Sequence, residues 1–203
     1  KIFLDDLEEK HGHRRATLIM HTDPMDQEGP NLFLVTELFN VQDSIFFSKE
    51  RLDFDKMNIL YNISDFCINI SYAEGFGLPT LEAMQAGIPM VAVKTGGLTR
   101  QVVDHRDGSE NGIALDVEMK TLVGSQQVPY IYEDYTSCKS ISNGIMKLYD
   151  QTPKERRKLG EKVRDYVLSE FSHQGTIDSW HDSMKYLSDN WRDEYKSWEC
   201  ITI

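Results

Sequence analysis

Cysteine is scarce in this sequence, since only Cys67, Cys138 and Cys200 occur among its 203 residues. No CxxC pair is present, so the cysteines support neither a zinc knuckle nor a disulfide framework. Cys67 lies in an apolar segment and is expected to be a small residue of the core. Few, widely spaced cysteines are typical of a reducing compartment, and we therefore expect a cytoplasmic protein.

Basic residues are in the minority, with 22 lysines and arginines against 33 acidic residues and a formal net charge of −11. This balance argues against broad nucleic-acid binding, which needs a basic surface. The basic cluster at residues 154–158 follows Pro153 and is interpreted as the solvated face of a helix. No apolar run is long enough to span a bilayer, and residues 1–15 do not resemble a signal peptide, so the sequence carries no strong membrane signal.

Short apolar segments alternate with segments of helical spacing along the chain. The pattern predicts strands at residues 17–22, 44–47, 66–71, 90–93 and 113–115. It predicts helices at residues 2–11, 31–39, 56–64, 79–86, 98–104, 136–150, 153–169 and 175–190. Residues 117–135 show no clear pattern and are interpreted as an irregular insertion. Alternating strands and helices are typical of an α/β domain whose parallel sheet is covered on both faces.

The segment from Ser71 to Met84, SYAEGFGLPTLEAM, connects a predicted strand to a predicted helix. Such a connection lies at the carboxyl edge of a parallel sheet, where ligands bind. Gly75 and Gly77 allow the backbone to approach a ligand closely, and Pro79 suits the first turn of a helix. The start of that helix offers unpaired N–H groups and the positive end of its dipole, which favour a phosphate.

Two carboxylates, Glu74 and Glu82, bracket this anion site. We expect Glu82 in the first helical turn, where its carboxylate can accept two hydroxyl hydrogen bonds, as from a ribose. The segment therefore combines groups for a diphosphate with groups for sugar hydroxyls. A glutamate in a first turn can also simply complement the helix dipole, and the two glycines can serve only a tight turn. Gly87 is placed to end the helix.

Other patterns in the chain are weaker. The sequence from Gly75 to Thr80 lacks the third glycine of the dinucleotide-binding fingerprint. Residues 53–55, Asp-Phe-Asp, fit a metal-binding Asp-x-Asp pattern but do not follow a clear strand. His11 and His13 lack partners at ligand spacing, so no metal site is expected.

Residues 74–84, EGFGLPTLEAM, resemble the signature of the glycosyl transferases group 1 family, which are retaining glycosyltransferases of the two-domain, Rossmann-like GT-B fold. The signature is a glutamate, seven residues and a second glutamate, matched by Glu74 and Glu82. The resemblance extends over about residues 56–175 and includes these further matches: Tyr61-Asn62-Ile63-Ser64-Asp65, Gly87-Ile88-Pro89, Gly96-Gly97, Asp107-Gly108, Asn111-Gly112, Arg157, Gly160 and Phe171-Ser172. It implies the C-terminal, donor-binding half of a GT-B fold, with a Rossmann-like parallel sheet.

The resemblance also implies roles for individual residues. Glu74, the implied catalytic position, holds hydroxyls of the donor sugar, and Glu82 holds the ribose hydroxyls. The remaining implied donor contacts come from backbone N–H groups and small residues. The N–H groups of Gly75, Phe76 and Gly77 face the sugar and diphosphate, and Gly97 lies on the opposite wall. Leu78 and Thr80 contact the phosphates, Thr80 also through its hydroxyl. The implied substrate is a UDP- or GDP-type sugar. Neither cofactor nor metal is expected, because the helix dipole and basic side chains stabilise the leaving diphosphate.

The resemblance further implies that residues 1–175 form a donor domain without its first strand. In the family that strand ends in an Arg and a Lys that reach the diphosphate, and Lys10, Arg14 and Arg15 are in the wrong place to replace them. Residues 176–203, with Trp180, Trp191 and Trp198, form a C-terminal helix and tail expected to pack on a missing N-terminal acceptor domain. The fragment alone is therefore expected to be inactive.

The implied function is transfer of a hexose from a nucleotide-diphosphate sugar to a sugar or glycolipid acceptor, with retention of configuration. Two alternatives stay open. One is a catalytically incomplete module that only binds a nucleotide sugar, and the other is a sugar-nucleotide epimerase on the same fold. Finding the Arg and the Lys of the family's first strand upstream in the protein would count against the module that only binds a nucleotide sugar.

Overall fold

The computed structural model describes residues 1–128 and 130–195, so that Trp198 and Cys200 lie outside the described residues. The helices are α1 Ile2–His11, α2 Leu32–Leu38, α3 Phe54–Asn62, α4 Leu78–Gln85, α5 Leu98–Val102, α6 Cys138–Tyr149, α7 Pro153–Glu170 and α8 His173–Glu194. The strands are β1 Leu18–His21, β2 Ile45–Ser48, β3 Cys67–Asn69, β4 Met90–Val93, β5 Gly112–Leu115, β6 Met119–Val123 and β7 Ile131–Tyr135. A short 3-10 helix, Gln42–Ser44, precedes β2. Every predicted helix and strand is present, with ends that shift by a few residues.

Strands β3, β4 and β5 form a parallel sheet in that order. The central strand β4 is buried along its whole length. Its side chains alternate between two apolar clusters, with Met90 and Ala92 on one face and Val91 and Val93 on the other. A strand buried on both faces is the arrangement expected of parallel α/β sheets, so the predicted fold class is confirmed.

Helices from different parts of the chain cover the two faces of this sheet. Helices α4, α5 and α7 supply Met84, Leu98 and Val163 to the first cluster. Helix α6 supplies Leu148 to the second, and Phe3 of α1 packs against it. Each apolar side chain of this kind contributes about 1.5–3 kcal/mol when fully buried, which makes the sheet a stable base for the loops at its edge.

Strands β1 and β2 form a second, two-stranded parallel sheet. Within residues 1–128 and 130–195, no strand joins β1 to β3, so the single sheet expected from the sequence is divided in two. The pair is poorly covered, since Leu18 is 44% exposed and Phe46 is 59% exposed. Parallel strands are normally buried on both faces, so this pair lacks part of its packing.

The interpretation of residues 117–135 as irregular is wrong. Strands β6 and β7 pair as an antiparallel hairpin, with Met119 opposite Tyr135 and Val123 opposite Ile131. The hairpin is rich in β-branched and aromatic residues, which favour strands. Its strands are largely exposed and show no clean alternation of apolar and polar residues, which is why the sequence pattern missed them.

Helix α8 begins after Ser172, whose side chain caps the helix by accepting from the Gly175 N–H. None of its residues is buried. Its apolar side chains recur every three or four residues and form one exposed stripe: Ile177, Trp180, Met184, Leu187 and Trp191. Among the described helices, none has the length and apolar character needed to cross a membrane.

Candidate functional site

Two loops meet at the carboxyl edge of the β3–β4–β5 sheet. The glycine loop, residues 70–77, follows β3, and the wall loop, residues 94–97, follows β4. The Gly97 N–H donates to the Glu74 carbonyl oxygen at 3.3 Å. A methyl group on Gly96 would lie 1.8 Å from the same oxygen, so only glycine permits this approach. The structure thus brings Glu74 and Gly97 together, at the edge where α/β proteins bind ligands.

Helix α4 begins at the end of the glycine loop. Gly77 has a left-handed backbone, with φ of 86°, and occupies the position before the helix. Leu81 makes the first backbone hydrogen bond of the helix, to the Gly77 carbonyl oxygen. The N–H groups of Leu78 and Thr80 come before it and have no carbonyl one turn earlier within the helix. Such N–H groups, together with the helix dipole, are the kind of group that binds anions.

Glu82 is not in the first turn of α4, as the sequence suggested, but is its fifth residue. The helix begins at Leu78, one residue before the expected Pro79, because Gly77 turns the chain into the helix. The Glu82 carboxylate accepts a hydrogen bond of 2.8 Å from the Tyr61 hydroxyl. Burial, and then this bond, raise the pKa of the Tyr61 phenol, which keeps it protonated as the donor. Tyr61 therefore orients Glu82.

Sequence reasoning treated Tyr61 only as an apolar position of its helix and as part of the resemblance. The sequence did carry one signal. A phenylalanine would serve an apolar helix face as well as a tyrosine does, so the tyrosine indicates that its hydroxyl has a partner. A buried hydroxyl needs a partner, and here the partner is Glu82, 21 positions further along the chain.

Thr80 has a hydrogen-bond partner within the fold. Its side chain is fully buried, and its hydroxyl accepts a hydrogen bond from the Asn69 side chain at 3.0 Å. The hydroxyl is therefore already bonded within the fold, beside Gly77 at the end of β3, and its expected contact with a phosphate stays a prediction.

Gln101 of α5 supports the glycine loop through a hydrogen bond. This residue was not predicted from the sequence. Its side chain is fully buried, and its amide N–H donates to the Phe76 carbonyl oxygen. The side-chain amide of Asn111, which is also buried, donates to the backbone carbonyl oxygen of Gln101 at 2.9 Å. The Phe76 ring is half exposed and meets the ring of Phe171 edge to face, with centroids 5.9 Å apart. Two fully buried amides beneath a glycine-rich loop hold its backbone in one shape.

The other candidate residues lie apart from this edge. Within the described part of the chain, no group of three or more histidine, cysteine or acidic side chains could hold a metal ion. Asp53 occupies the position before α3. His11 lies 2.9 Å from Asp150, and Arg14 donates to Asp5 and Glu8, so these basic residues are paired elsewhere. Lys94 of the wall loop forms an ion pair with Asp116.

The chain is similar to several known proteins over part of its length. Residues 28–123 match the family model described as glycosyl transferases group 1. N-acetyl-alpha-D-glucosaminyl L-malate synthase of Bacillus anthracis is 27% identical over 140 residues, which cover 61% of this chain and 36% of that protein. Lipopolysaccharide 1,2-N-acetylglucosaminetransferase of Salmonella typhimurium is 28% identical over 141 residues, covering 69% of this chain and 30% of that protein. This chain thus spans about a third of the length of these two relatives.

Solved structures share the fold at lower identity. Sucrose-phosphate synthase from Thermosynechococcus elongatus has a TM-score of 0.67 and 20% identity, over 92% of this chain and 42% of that one. The Anabaena protein HepE in complex with UDP has a TM-score of 0.64 and 18% identity, over 92% of this chain and 45% of that one. The likeness confirms a Rossmann-like α/β fold of the GT-B type.

Proposed function

We propose, since residues 28–123 match the glycosyl transferases group 1 family model and the chain has a Rossmann-like fold of the GT-B type, that it is the donor-binding domain of a sugar transferase. The full-length protein would transfer a hexose from a nucleotide-diphosphate sugar to a sugar or glycolipid acceptor, with retention of configuration. One observation carries this proposal. The glycine loop with Glu74 packs directly on Gly96 and Gly97, beside the open N-terminus of α4.

Each half of the donor has a matching group in this arrangement. Glu82, oriented by Tyr61, accepts hydrogen bonds from the ribose hydroxyls. The backbone N–H groups of Leu78 and Thr80 receive the diphosphate at the helix N-terminus. Glu74 accepts from hydroxyls of the transferred sugar. Donors fixed in place before the reaction stabilise the charge on the leaving diphosphate without a metal ion.

The sugar side of the pocket is mostly backbone. The N–H groups of Gly75, Phe76 and Gly77 face the sugar and diphosphate in this proposal, and Gly97 forms the opposite wall. HepE has been solved with UDP and with UDP-glucose, which makes uridine donors the first to test, with guanosine donors next. The Salmonella relative is named as a lipopolysaccharide N-acetylglucosaminetransferase, which supports a glycolipid acceptor.

We further propose that residues 1–175 form the donor domain and that its first strand lies outside this sequence, paired with the edge of β1 that no strand of the described residues occupies. The exposure of Leu18 and Phe46 supports this, because a third strand with its connections would cover them. That strand would supply the Arg and Lys for the diphosphate, so we expect residues 1–203 alone to transfer no sugar.

Residues 176–203 are proposed to pack on an acceptor-binding domain of the same protein. The apolar stripe of α8 supports this, since Trp180 is 63% exposed and Trp191 is 51% exposed. Large exposed apolar patches usually mark an interface. A stripe with spacing of three and four residues fits a groove on a neighbouring domain.

The proposed transfer is tested directly with the full-length protein. We would incubate it with UDP-glucose, GDP-mannose and ADP-glucose in turn, with simple glycosides as acceptors, and follow nucleotide release and the product anomer by NMR. Release of one nucleotide with an α-linked product is expected. A β-linked product would overturn retention. Saturable binding of a donor without any turnover would instead favour the incomplete binding module.

Removing the hydroxyl of Tyr61 should weaken nucleotide binding without unfolding the protein. In Tyr61→Phe the Glu82 carboxylate loses its orienting donor, and we expect nucleotide affinity to fall by about 0.5–1.5 kcal/mol, the usual net value of one hydrogen bond. Isothermal titration calorimetry measures the change. Tyr132→Phe, on the exposed hairpin, is the matched control and should bind as the wild type does. Equal affinities for wild type and Tyr61→Phe would remove Tyr61 from the site.

A further inference from the structure

One residue of the β6–β7 hairpin, Asp134, contacts both loops of the candidate site. The Asp134 backbone N–H donates to the Tyr72 carbonyl oxygen of the glycine loop at 2.7 Å. The Thr95 hydroxyl of the wall loop donates to Asp134 Oδ2 at 2.8 Å. Both side chains are buried, with Thr95 3% exposed and Asp134 9% exposed. Asp134 therefore ties the two loops to each other and to the hairpin.

Neighbouring contacts hold the hairpin in this position. The rings of Tyr72 and Tyr135 stack, with centroids 4.2 Å apart and planes inclined by 28°. The Lys120 ammonium lies 3.1 Å from Asp134 Oδ1. The Thr95 hydrogen bond, and then Lys120, hold the pKa of Asp134 below its usual value against its burial. Asp134 is thus a charged acceptor, and hydrogen bonds to charged groups are the stronger ones.

These contacts fix the backbone on both sides of Glu74. Glu74 comes two residues after Tyr72, whose carbonyl Asp134 holds. The Glu74 carbonyl accepts from Gly97, two residues after Thr95. Glu82 is held separately, by Tyr61 and by its place in α4. The part of the site assigned to the sugar and the part assigned to the ribose therefore depend on different contacts.

We propose that Asp134 is a positioning residue for the donor sugar, acting on Glu74 through Thr95 and Tyr72. This inference rests on the proposed function and adds to it that the hairpin, which stands outside the α/β sheet, sets how the sugar is held. Removing the hydrogen bond between Thr95 and Asp134 should lower the affinity for the nucleotide sugar and leave the affinity for the nucleoside diphosphate unchanged.

The test compares two ligands in the full-length protein by calorimetry. UDP and UDP-glucose form the first pair, with GDP and GDP-mannose or ADP and ADP-glucose used if the wild type prefers those bases. The variants are Thr95→Val, which keeps the shape but removes the donor, and Thr95→Ser, which keeps the hydroxyl. Asp134→Asn, which keeps an acceptor oxygen but removes the charge, is a second probe of the same bond. Thermal melting of each variant reports its fold.

In Thr95→Val we expect affinity for the nucleotide sugar to fall by about 2- to 10-fold, as for one lost hydrogen bond, while affinity for the nucleoside diphosphate stays within about twofold. Thr95→Ser should restore the wild-type ratio of the two affinities. The ratio for Asp134→Asn should lie between the ratios for Thr95→Val and the wild type. An equal loss for both ligands, or no loss in a folded variant, would overturn the role of Asp134. A wild type that binds no nucleotide would instead overturn the proposed function itself.

Discussion

Gly97→Ala should lower transfer of the donor sugar by about 100-fold while the protein stays folded. The added Cβ would lie 2.7 Å from the Gly75 carbonyl oxygen, 2.7 Å from Phe76 Cα and 2.8 Å from the Phe76 carbonyl oxygen. These neighbours are backbone atoms, so they cannot rotate away, and the glycine loop with Glu74 must move. A misplacement of about 1 Å in a reactive geometry lowers rates by roughly 100-fold. We therefore expect a loss of that size in kcat/KM for transfer by the full-length protein.

The matched control is a glycine that faces open space. A methyl group on Gly29 meets its nearest neighbour, the Asp26 carbonyl oxygen, at 4.0 Å, which is ordinary contact. Gly29→Ala should therefore keep the wild-type rate and melt close to the wild type, while Gly97→Ala should still fold but lose about 1–3 kcal/mol of stability through overpacking. A Gly97→Ala enzyme with wild-type kcat/KM would show that the two loops do not form the sugar pocket.

Gly160→Ala should destabilise the fold, although the same change usually stabilises a helix. Gly160 lies within α7 and packs against the turn that ends α4, where Gly87 has a φ of 77°. A Cβ on Gly160 would lie 2.2 Å from the Gly87 carbonyl oxygen, so the two helices must separate. Replacing glycine by alanine in a helix ordinarily gains about 0.5–1 kcal/mol. Overpacking of this kind costs about 1–3 kcal/mol, so we expect a net loss.

Denaturant unfolding measures this change in the free energy of unfolding. Lys158→Ala, on the exposed side of the same helix, is the control and should change stability by no more than about 0.5 kcal/mol. A Gly160→Ala protein more stable than the wild type would mean that α4 and α7 do not pack through these two glycines.

The main elements of this fold were predictable because their signals are local. The run Met90–Val93 is wholly apolar and short, which indicates a buried parallel strand, and it is one. Gly87 was expected to end α4 with a left-handed backbone, and it does so. The resemblance implied that Gly97 lies opposite the Glu74–Glu82 segment, and the two loops do meet at one edge, as loops after parallel strands do.

What the sequence could not give depends on contacts between distant positions. The bond from Tyr61 to Glu82 spans 21 positions, and the bond from Thr95 to Asp134 spans 39. No periodicity encodes such pairs. The place of Glu82 in the second turn depends on the backbone angle of one residue, Gly77, and helix ends are the least certain part of any sequence-based prediction. The buried Thr80 hydroxyl likewise follows from Asn69 of a neighbouring strand.

The most direct test of the donor site is a titration of UDP, GDP and ADP into the full-length protein by calorimetry, for the wild type and for Glu82→Ala. Gln85→Ala, on the exposed side of α4, is the control. We predict saturable binding of one nucleotide to the wild type and to the control, weakened by about 1–3 kcal/mol in Glu82→Ala, because the ribose hydroxyls lose their charged acceptor. Folded protein that binds none of the three, or a Glu82→Ala variant that binds as tightly as the wild type, would contradict the assignment of this edge as the nucleotide-sugar site.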